Sequence, residues 1–591
     1  MSWRPNPLDK PRDFRDSWLR LLSYMNVYKY LILVAVIISL ISTVIYLVGP
    51  QIIRDITDTI EQGLRGSLDL DEVKRLGMIM VALYLIGGGL SLIQGLIMAT
   101  VSQSTASRMR ADLSDKTDRL PLSYFDRNQT GDVMSRMTND ADTIGHSMNA
   151  GINGMVSATA MFFGCLVMMF YTNWVLALTA SVSAILGFVM VRMLVRRSNR
   201  YFKIQQANLG AMNAHVSEVY SAHDIVNSYN GQGMAREEFD EINSRLRKSA
   251  FRSQFLSGLM LPFMSFVGNL GYVMVCAVGS ILVIDGYTTI GVVVAFMLYV
   301  RLFTHPLGQM SQALVSMQSV AAASERVFDL IDQEEMDEDV SKSKISEIRG
   351  QVEFRDVHFG YVPGKEVIHG FSAKVEPGQK VAIVGPTGTG KTTLVNLLMR
   401  FYDTDSGQIL IDGIPISDMS RKDVHDMFCM VLQDTWLFRG TIRENIAYGR
   451  DDITDQEIEE ACRAAGIHFF ITTLEKGYDT MITEADMLSA GQKQQITIAR
   501  AIVDRSPMLI LDEATSSVDT RTEAIIQNAM DSLTKGRTSF VIAHRLSTIR
   551  NSDLILVMKD GKLLESGTHQ QLIDRNGFYR SLYDSQFETI D

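Results

Sequence analysis

Cysteine is scarce in this chain: there are four in 591 residues, Cys165, Cys276, Cys429 and Cys462. None forms a C-x-x-C pair, which leaves no support for a disulfide framework or a zinc site and predicts four reduced, packed thiols. There is no basic run, and the formal net charge is −11, so a nucleic-acid partner is not expected. Residues 1–30 carry Asp9, Asp13 and Asp16 among their basic residues. That is wrong for a transit peptide, and no apolar core precedes a small-residue cleavage site. The most informative shortage is of charge over long stretches. Leu31–Val48 and Gly77–Ala99 have none, Gly145–Val191 has no Asp, Glu, Lys or Arg, and Ser253–Val300 has only Asp285.

The first two stretches each suit the ~20 residues that cross a bilayer. The longer two hold two crossings apiece, joined near Thr172-Asn173-Trp174 and at Asp285-Gly286-Tyr287-Thr288. Six membrane helices are therefore predicted, at about 31–50, 77–99, 150–171, 174–195, 255–283 and 289–305. One such run could be a buried soluble helix, but six could not. Lysine and arginine crowd residues 100–143 and 196–252 and are missing from the short turns at Asn173 and Asp285. The positive-inside rule then puts both termini and both long connections in the cytoplasm, in a multi-pass protein of the cytoplasmic membrane. Before the first crossing, in residues 1–30, Trp18, Leu19, Leu21, Leu22 and Met25 alternate with Arg12, Arg15 and Arg20. This reads as an interfacial elbow helix or a plain solvated one. The two cytoplasmic connections read as helix pairs projecting ~37 Å from the bilayer.

Apolar residues make up 46% and charged residues 21% of the chain, a mixture expected of a part-membrane, part-soluble protein of at least two domains. The membrane domain spans 31–330, a charged linker covers 331–350, and a second domain fills 351–591. In that domain Gly385-Pro386-Thr387-Gly388-Thr389-Gly390-Lys391-Thr392 is a complete G-x-x-x-x-G-K-T loop, continued by Thr393. An apolar strand, Lys380–Val384, precedes it and a helical pattern follows. That context lets backbone N–H groups cradle phosphates, with Lys391 on the β/γ-phosphates and Thr392 on Mg²⁺. Met508-Leu509-Ile510-Leu511-Asp512-Glu513 is a strand ending in two acids. Asp512 would hold Mg²⁺ through water, and Glu513 would polarise an attacking water.

Between these motifs lie Gln433, in Val431-Leu432-Gln433-Asp434, and Leu488-Ser489-Ala490-Gly491-Gln492; His544 follows in Ile542-Ala543-His544-Arg545. The ordered set resembles the ATPase of ABC transporters, and residues from about 15 to 585 resemble an exporter-type half-transporter. The implied fold is an α-helical six-helix transmembrane domain with long cytoplasmic extensions, then an α/β P-loop ABC ATPase domain with a helical subdomain. The resemblance implies ATP and Mg²⁺ as cofactors and assigns further roles. Tyr361 would stack on adenine. Gln433 would sense the γ-phosphate and Mg²⁺, His544 would contact the γ-phosphate, and Asp519 would signal across a dimer. Ser489 and Gly491 would close on the partner chain's γ-phosphate. Phe125 to Asp140 and Glu218 to Asn230 resemble the two coupling regions.

One departure stands out. The family's approach reads V-V-G-E-x-G-x-x-L-S-G-G-Q, whereas Met481–Gln492 is one residue shorter, lacks both glycines before Leu488, and has Ala490 in a glycine place. Were that position left-handed, alanine would cost about 1–2 kcal/mol. Gln495 also replaces the usual arginine. The change reads either as drift or as the mark of a heterodimer subunit that keeps Glu513 and pairs with a different half-transporter; a homodimer stays open. No peptidase-like domain precedes the elbow, which disfavours a bacteriocin-processing exporter. Phe296, Tyr299 and Phe303 share one face of the sixth helix as substrate-cavity candidates, and Arg301 would contact substrate, snorkel or pair between helices. The membrane methionines suit a promiscuous apolar cavity and lipid-facing packing equally. The expected activity is ATP-driven export of amphipathic compounds, drugs included. A lipid flippase is the alternative, followed by an ATP-gated channel or regulatory ATPase.

Overall fold

The uncharged stretches fold into helices far longer than a bilayer is thick. The computed structural model describes residues 13–65, 69–336, 348–432, 435–450, 452–483, 488–512, 520–542 and 546–587. Two compact units result: Met1–Asp118 with Thr130–Gln333, and Arg119–Gln129 with Glu334–Asp591.

The first unit is helical. Asp13 caps α1 (Phe14–Tyr24), its carboxylate accepting the backbone N–H of Arg15 and Asp16 at 3.0 and 3.1 Å. Then come α2 (Lys29–Arg65) and α3 (Leu70–Arg119), and past a short helix of the other unit, α4 (Leu122–Arg127), α5 (Thr130–Ser135). A π-turn at Arg136–Asp140 leads into α6 (Ala141–Thr172) and α7 (Trp174–Ser221). The connection between α6 and α7 is Asn173 alone, whose side chain accepts from Val175 and Leu176 N–H at 3.0 and 3.2 Å. The unit ends with α8 (His223–Ser228), α9 (Gln232–Gly258), α10 (Met260–Ile284) and α11 (Ile290–Ile331). At 50 residues, α3 is about 75 Å long, against a hydrocarbon core of about 30 Å.

Five described helical stretches are long and apolar enough to cross a membrane: Phe14–Leu64, Leu70–Arg119, Thr130–Thr172, Ser265–Ile284 and Ile290–Ile331. The start of α7, Trp174–Ser183, is a shorter apolar segment. The helices overrun the apolar runs because nothing stops them at the water boundary. Even Pro50 lies inside α2, which continues to Arg65. Next to it Gly49 admits the Tyr84 hydroxyl, only 2.3 Å from where a Cβ would stand.

Helix α11 packs along α6 and α2, and α7 along α9 and α10. A buried ion pair pins the π-turn to α11: Asp140 accepts from Arg326 Nε and Nη2 at 2.9 and 2.6 Å. Of the four thiols, all free, Cys165, Cys429 and Cys462 are buried. Burial pushes Cys429 up to about 12 and Cys462 up to about 11.

The second unit carries two main sheets. β1 (Val352–Phe359), β2 (Ile368–Val375), β4 (Ser406–Ile411) and β5 (Ile414–Pro415) form an antiparallel sheet in the order β2-β1-β4-β5. β3 (Lys380–Val384) leads through a loop to α12 (Lys391–Leu398), and α13 (Arg421–Met427) precedes β6 (Phe428–Val431). A helical region follows, with α14 (Ile442–Ile446), α15 (Asp455–Ala464), α16 (His468–Thr473) and α17 (Ala490–Val503), along with the short pair β7 (Gly440–Thr441) and β8 (Met481–Ile482). β9 (Met508–Asp512), α18 (Thr520–Thr534), β10 (Thr538–Ile542), α19 (Leu546–Arg550), β11 (Leu554–Lys559) and β12 (Lys562–Gly567) complete the larger sheet, and α20 (His569–Asp574) and α21 (Phe578–Phe587) close the chain. Its order is β12-β11-β3-β10-β9-β6, parallel except at β11–β12. The parallel strands are near-continuous apolar runs because both faces are covered.

Removing Asp140 leaves the Arg326 guanidinium mostly buried without this carboxylate, a loss of about 3–5 kcal/mol. Asp142, whose pair with Arg110 is exposed on both sides, should matter by less than about 1 kcal/mol. Thermal unfolding in detergent should therefore fall clearly for Asp140→Ala and hardly for Asp142→Ala; equal shifts would refute the difference.

Candidate functional site

The loop between β3 and α12 is built by glycine geometry. Gly388 and Gly390 have φ of +84° and +94°, a region costly for any residue with a Cβ. Space is tight as well. A Cβ on Gly390 would lie 2.7 Å from Ile368 Cδ1, and one on Gly385 would lie 2.4 Å from the Met558 carbonyl oxygen. Pro386, Thr387 and Gly388 are exposed, while Thr389 and Lys391 are buried. The Thr389 hydroxyl donates to the Pro386 carbonyl at 2.9 Å. Lys391 Nζ donates to the carbonyls of Gly385 and Pro386 at 2.8 and 3.0 Å. The ammonium thus lies within the curve of the loop, at the start of a helix whose first N–H groups favour an anion.

Strand register places the acid. Ile542 of β10 pairs with Ile383 of β3 on one side and with Asp512 of β9 on the other. Asp512 therefore stands level with Ile383, two strands or about 10 Å across, at the sheet edge from which the loop rises. Thr392 is exposed at the start of α12. A hydroxyl and a carboxylate are hard oxygen donors of the kind Mg²⁺ takes together with phosphate oxygens and water, so the residues fit that ion. Tyr361 is half-buried, edge-on to Phe359 and Tyr402 with ring centroids 5.0 and 5.1 Å away. Its hydroxyl lies 3.2 Å from Thr393 Oγ1, so the ring is already tied to the helix that follows the loop. Gln433, Glu513, Asp519 and His544 lie outside the described residues.

The Ser489 segment is a helix start. Ser489 caps α17 in a reciprocal box, its hydroxyl accepting from Gln492 N–H at 3.2 Å and its own N–H donating to Gln492 Oε1 at 2.9 Å. Ala490 is the first helical residue and has no positive φ, so the left-handed penalty considered from sequence does not arise. Ser489 and Ala490 are exposed, and Gly491 is buried. Gln495, in place of an arginine, is buried and donates to the Ala465 carbonyl at 3.1 Å. Helix α17 belongs to the hydrophobic cluster of the helical region, whereas the loop-bearing strand and α12 belong to another.

The three aromatic cavity candidates are corrected by their burial. Phe296, Tyr299 and Phe303 are 0%, 0% and 5% exposed and pack with Leu47, Cys165 and Met169 between helices. The Tyr299 hydroxyl donates to the Leu47 carbonyl and accepts from Gln51 Nε2, both at 3.1 Å. They form a sealed seam, because large aromatics on one helix face gain more from packing than from lining a space. The opposite stripe of α11, with Arg301, His305 and Gln309, lines a cavity instead. Its polar repeat at i, i+4, i+8 was the sequence signal for that surface.

Two regions match family descriptions: residues 32–307 match the ABC transporter transmembrane region, and residues 368–516 match the ABC transporter family. A fatty acid ABC transporter ATP-binding/permease protein of Mycobacterium tuberculosis is 41% identical, covering 97% of each chain. The chain belongs to the ABC transporter family. An ATP-dependent lipid A-core flippase of Syntrophus aciditrophicus is 34% identical over 98% of this chain and 97% of the relative. An uncharacterized ABC transporter ATP-binding protein of Bacillus subtilis is 39% identical over 98% and 96%. This ABC transporter is an exporter-type half-transporter, its membrane region fused to a domain that hydrolyses ATP.

Gly390→Ala should weaken ATP binding about tenfold or more, since left-handed strain of about 1–2 kcal/mol adds to the clash with Ile368. Gly413→Ala carries a similar strain, at φ +83° with open space around it, and should leave affinity unchanged. Titration with a fluorescent ATP analogue would separate the two, and equal losses would contradict a loop-specific effect.

Proposed function

We propose that this ABC transporter exports an amphiphile with a long apolar tail, lipid or fatty-acyl in type, across the cytoplasmic membrane, with both termini and the ATPase domain on the cytoplasmic side. The carrying observation is whole-length similarity to relatives named for fatty acid and lipid A-core transport. General drug export is the broader alternative.

In this reading Lys391 and the loop N–H groups hold the phosphates, and Thr392, Asp512 and Gln433 hold Mg²⁺. Tyr361 faces adenine. Glu513 orients the attacking water, and His544 fixes the γ-phosphate. Ser489, Ala490, Gly491 and Gln492 close on the ATP of a second chain, and Asp519 links the two sites. The partner is a different half-transporter. Ala490 supports this, because its methyl group is exposed and harmless within its own chain. It would be felt only by the nucleotide it closes upon, leaving one site weaker than the other.

Reconstitution into vesicles tests the proposal. A fluorescent long-chain amphiphile should cross the bilayer only with ATP and Mg²⁺, and Glu513→Gln in this chain should abolish both movement and ATP turnover, a loss above about tenfold or ~1.4 kcal/mol. ATP hydrolysis without amphiphile movement would refute lipid-type export. Mixed assemblies of altered and unaltered copies of this chain that keep half of the turnover would refute the unlike pair.

A further inference from the structure

We propose that the cavity bounded by α2, α3, α6 and α11 binds the anionic head group of an amphiphile, a carboxylate or a phosphate, through Arg301 and His305. This deepens the lipid-type reading and rests on it.

The cavity measures about 400 Å³ and is lined by Gln94, Asn153, Ser157, Arg301, His305 and Gln309, among others. No described lining residue is Asp or Glu. Arg301 lies eleven residues into α11, about 16 Å along the helix and within the crossing expected at 289–305. A guanidinium there is costly unless something pairs with it. Among the described residues its side chain has no hydrogen-bond or ion-pair partner, and neither does that of His305.

The hydrogen-bond inventory points the same way. Ser39 and Ser157 hydroxyls lie 2.8 Å apart, Ser157 donates to Asn153 Oδ1 at 3.1 Å, and Thr43 donates to the Ser39 carbonyl at 2.8 Å. In that arrangement the Asn153 amide nitrogen remains a donor. Gln94 is 5% exposed and its side chain has no hydrogen-bond partner among the described residues. The guanidinium and two amides thus present unused donors around one space, Arg301 exposed to it, Asn153 half-buried and Gln94 buried. An oxyanion supplies the acceptors and the charge at once. Met161 and Leu302, also in the lining, offer apolar surface to the first methylenes of a tail. A cationic head would meet Arg301 with no acid to offset it.

The test uses the purified assembly in neutral lipid nanodiscs. Four fluorescent probes share a chain of about twelve carbons and differ in head: carboxylate, phosphate, neutral glycerol and trimethylammonium. At least one anionic probe should bind about tenfold or more tighter than the neutral one. A carboxylate preference indicates a fatty-acid source, and a phosphate preference a phospholipid-type source. Arg301→Gln should erase the difference, while Arg301→Lys keeps most of it. Equal binding of neutral and anionic probes by the unaltered protein overturns the head-group assignment and leaves lipid-type export standing. Binding of none of the four overturns both. A preference that survives Arg301→Gln removes Arg301 from the site.

Discussion

The left-handed turn at Gly390 is the constraint on which the nucleotide site depends. With φ at +94° and Ile368 pressed against the missing Cβ, the chain turns there and starts a helix at the next residue. That puts Lys391 in the first turn of α12, its ammonium inside the loop, and it aims the helix N-terminus at the same space. The turn is held from outside by the sheet. β3 lies between β10 and β11, so the loop rises from buried strands that cannot shift without breaking two ladders.

The same sheet explains why one chain is half a machine. Asp512 reaches the loop's edge of the sheet through register alone. The Ser489 helix start belongs to the other hydrophobic cluster, its cap satisfied internally and Ser489 and Ala490 open to solvent. A helix N-terminus that presents free N–H groups at the surface gains most from an anion brought by another molecule. In the membrane unit the logic repeats. Arg301 faces a space that its own chain furnishes with donors and no described acid, and a transported head group would complete it.

Much of this was legible in the sequence because it depends on local rules. The G-x-x-x-x-G-K-T spacing predicted the strand–loop–helix around Lys391, and the polar break at Asn173 predicted the turn between two apolar helices. Other features depend on what lies across from a residue, which one sequence does not state. Phe296, Tyr299 and Phe303 share a face, but only their neighbours decide whether it meets a cavity or Leu47 and Cys165. The first crossing was expected over about 31–50, yet α2 runs on through Pro50 to Arg65, since losing one N–H donor does not undo a long helix packed along its length. Ala490 would be strained only were its position left-handed, whereas its backbone is simply that of a first helical turn.

The central claim is that each ATP is enclosed by two chains, the phosphate loop of one and the Ser489 helix of the other. The direct measurement is the distance, by electron paramagnetic resonance, between a spin label at Lys493 and a second label beside the phosphate loop of the partner chain, in assemblies whose Glu513 is replaced by Gln. A short-distance population should appear with ATP and Mg²⁺ and vanish without them. A distance distribution indifferent to nucleotide would contradict the account.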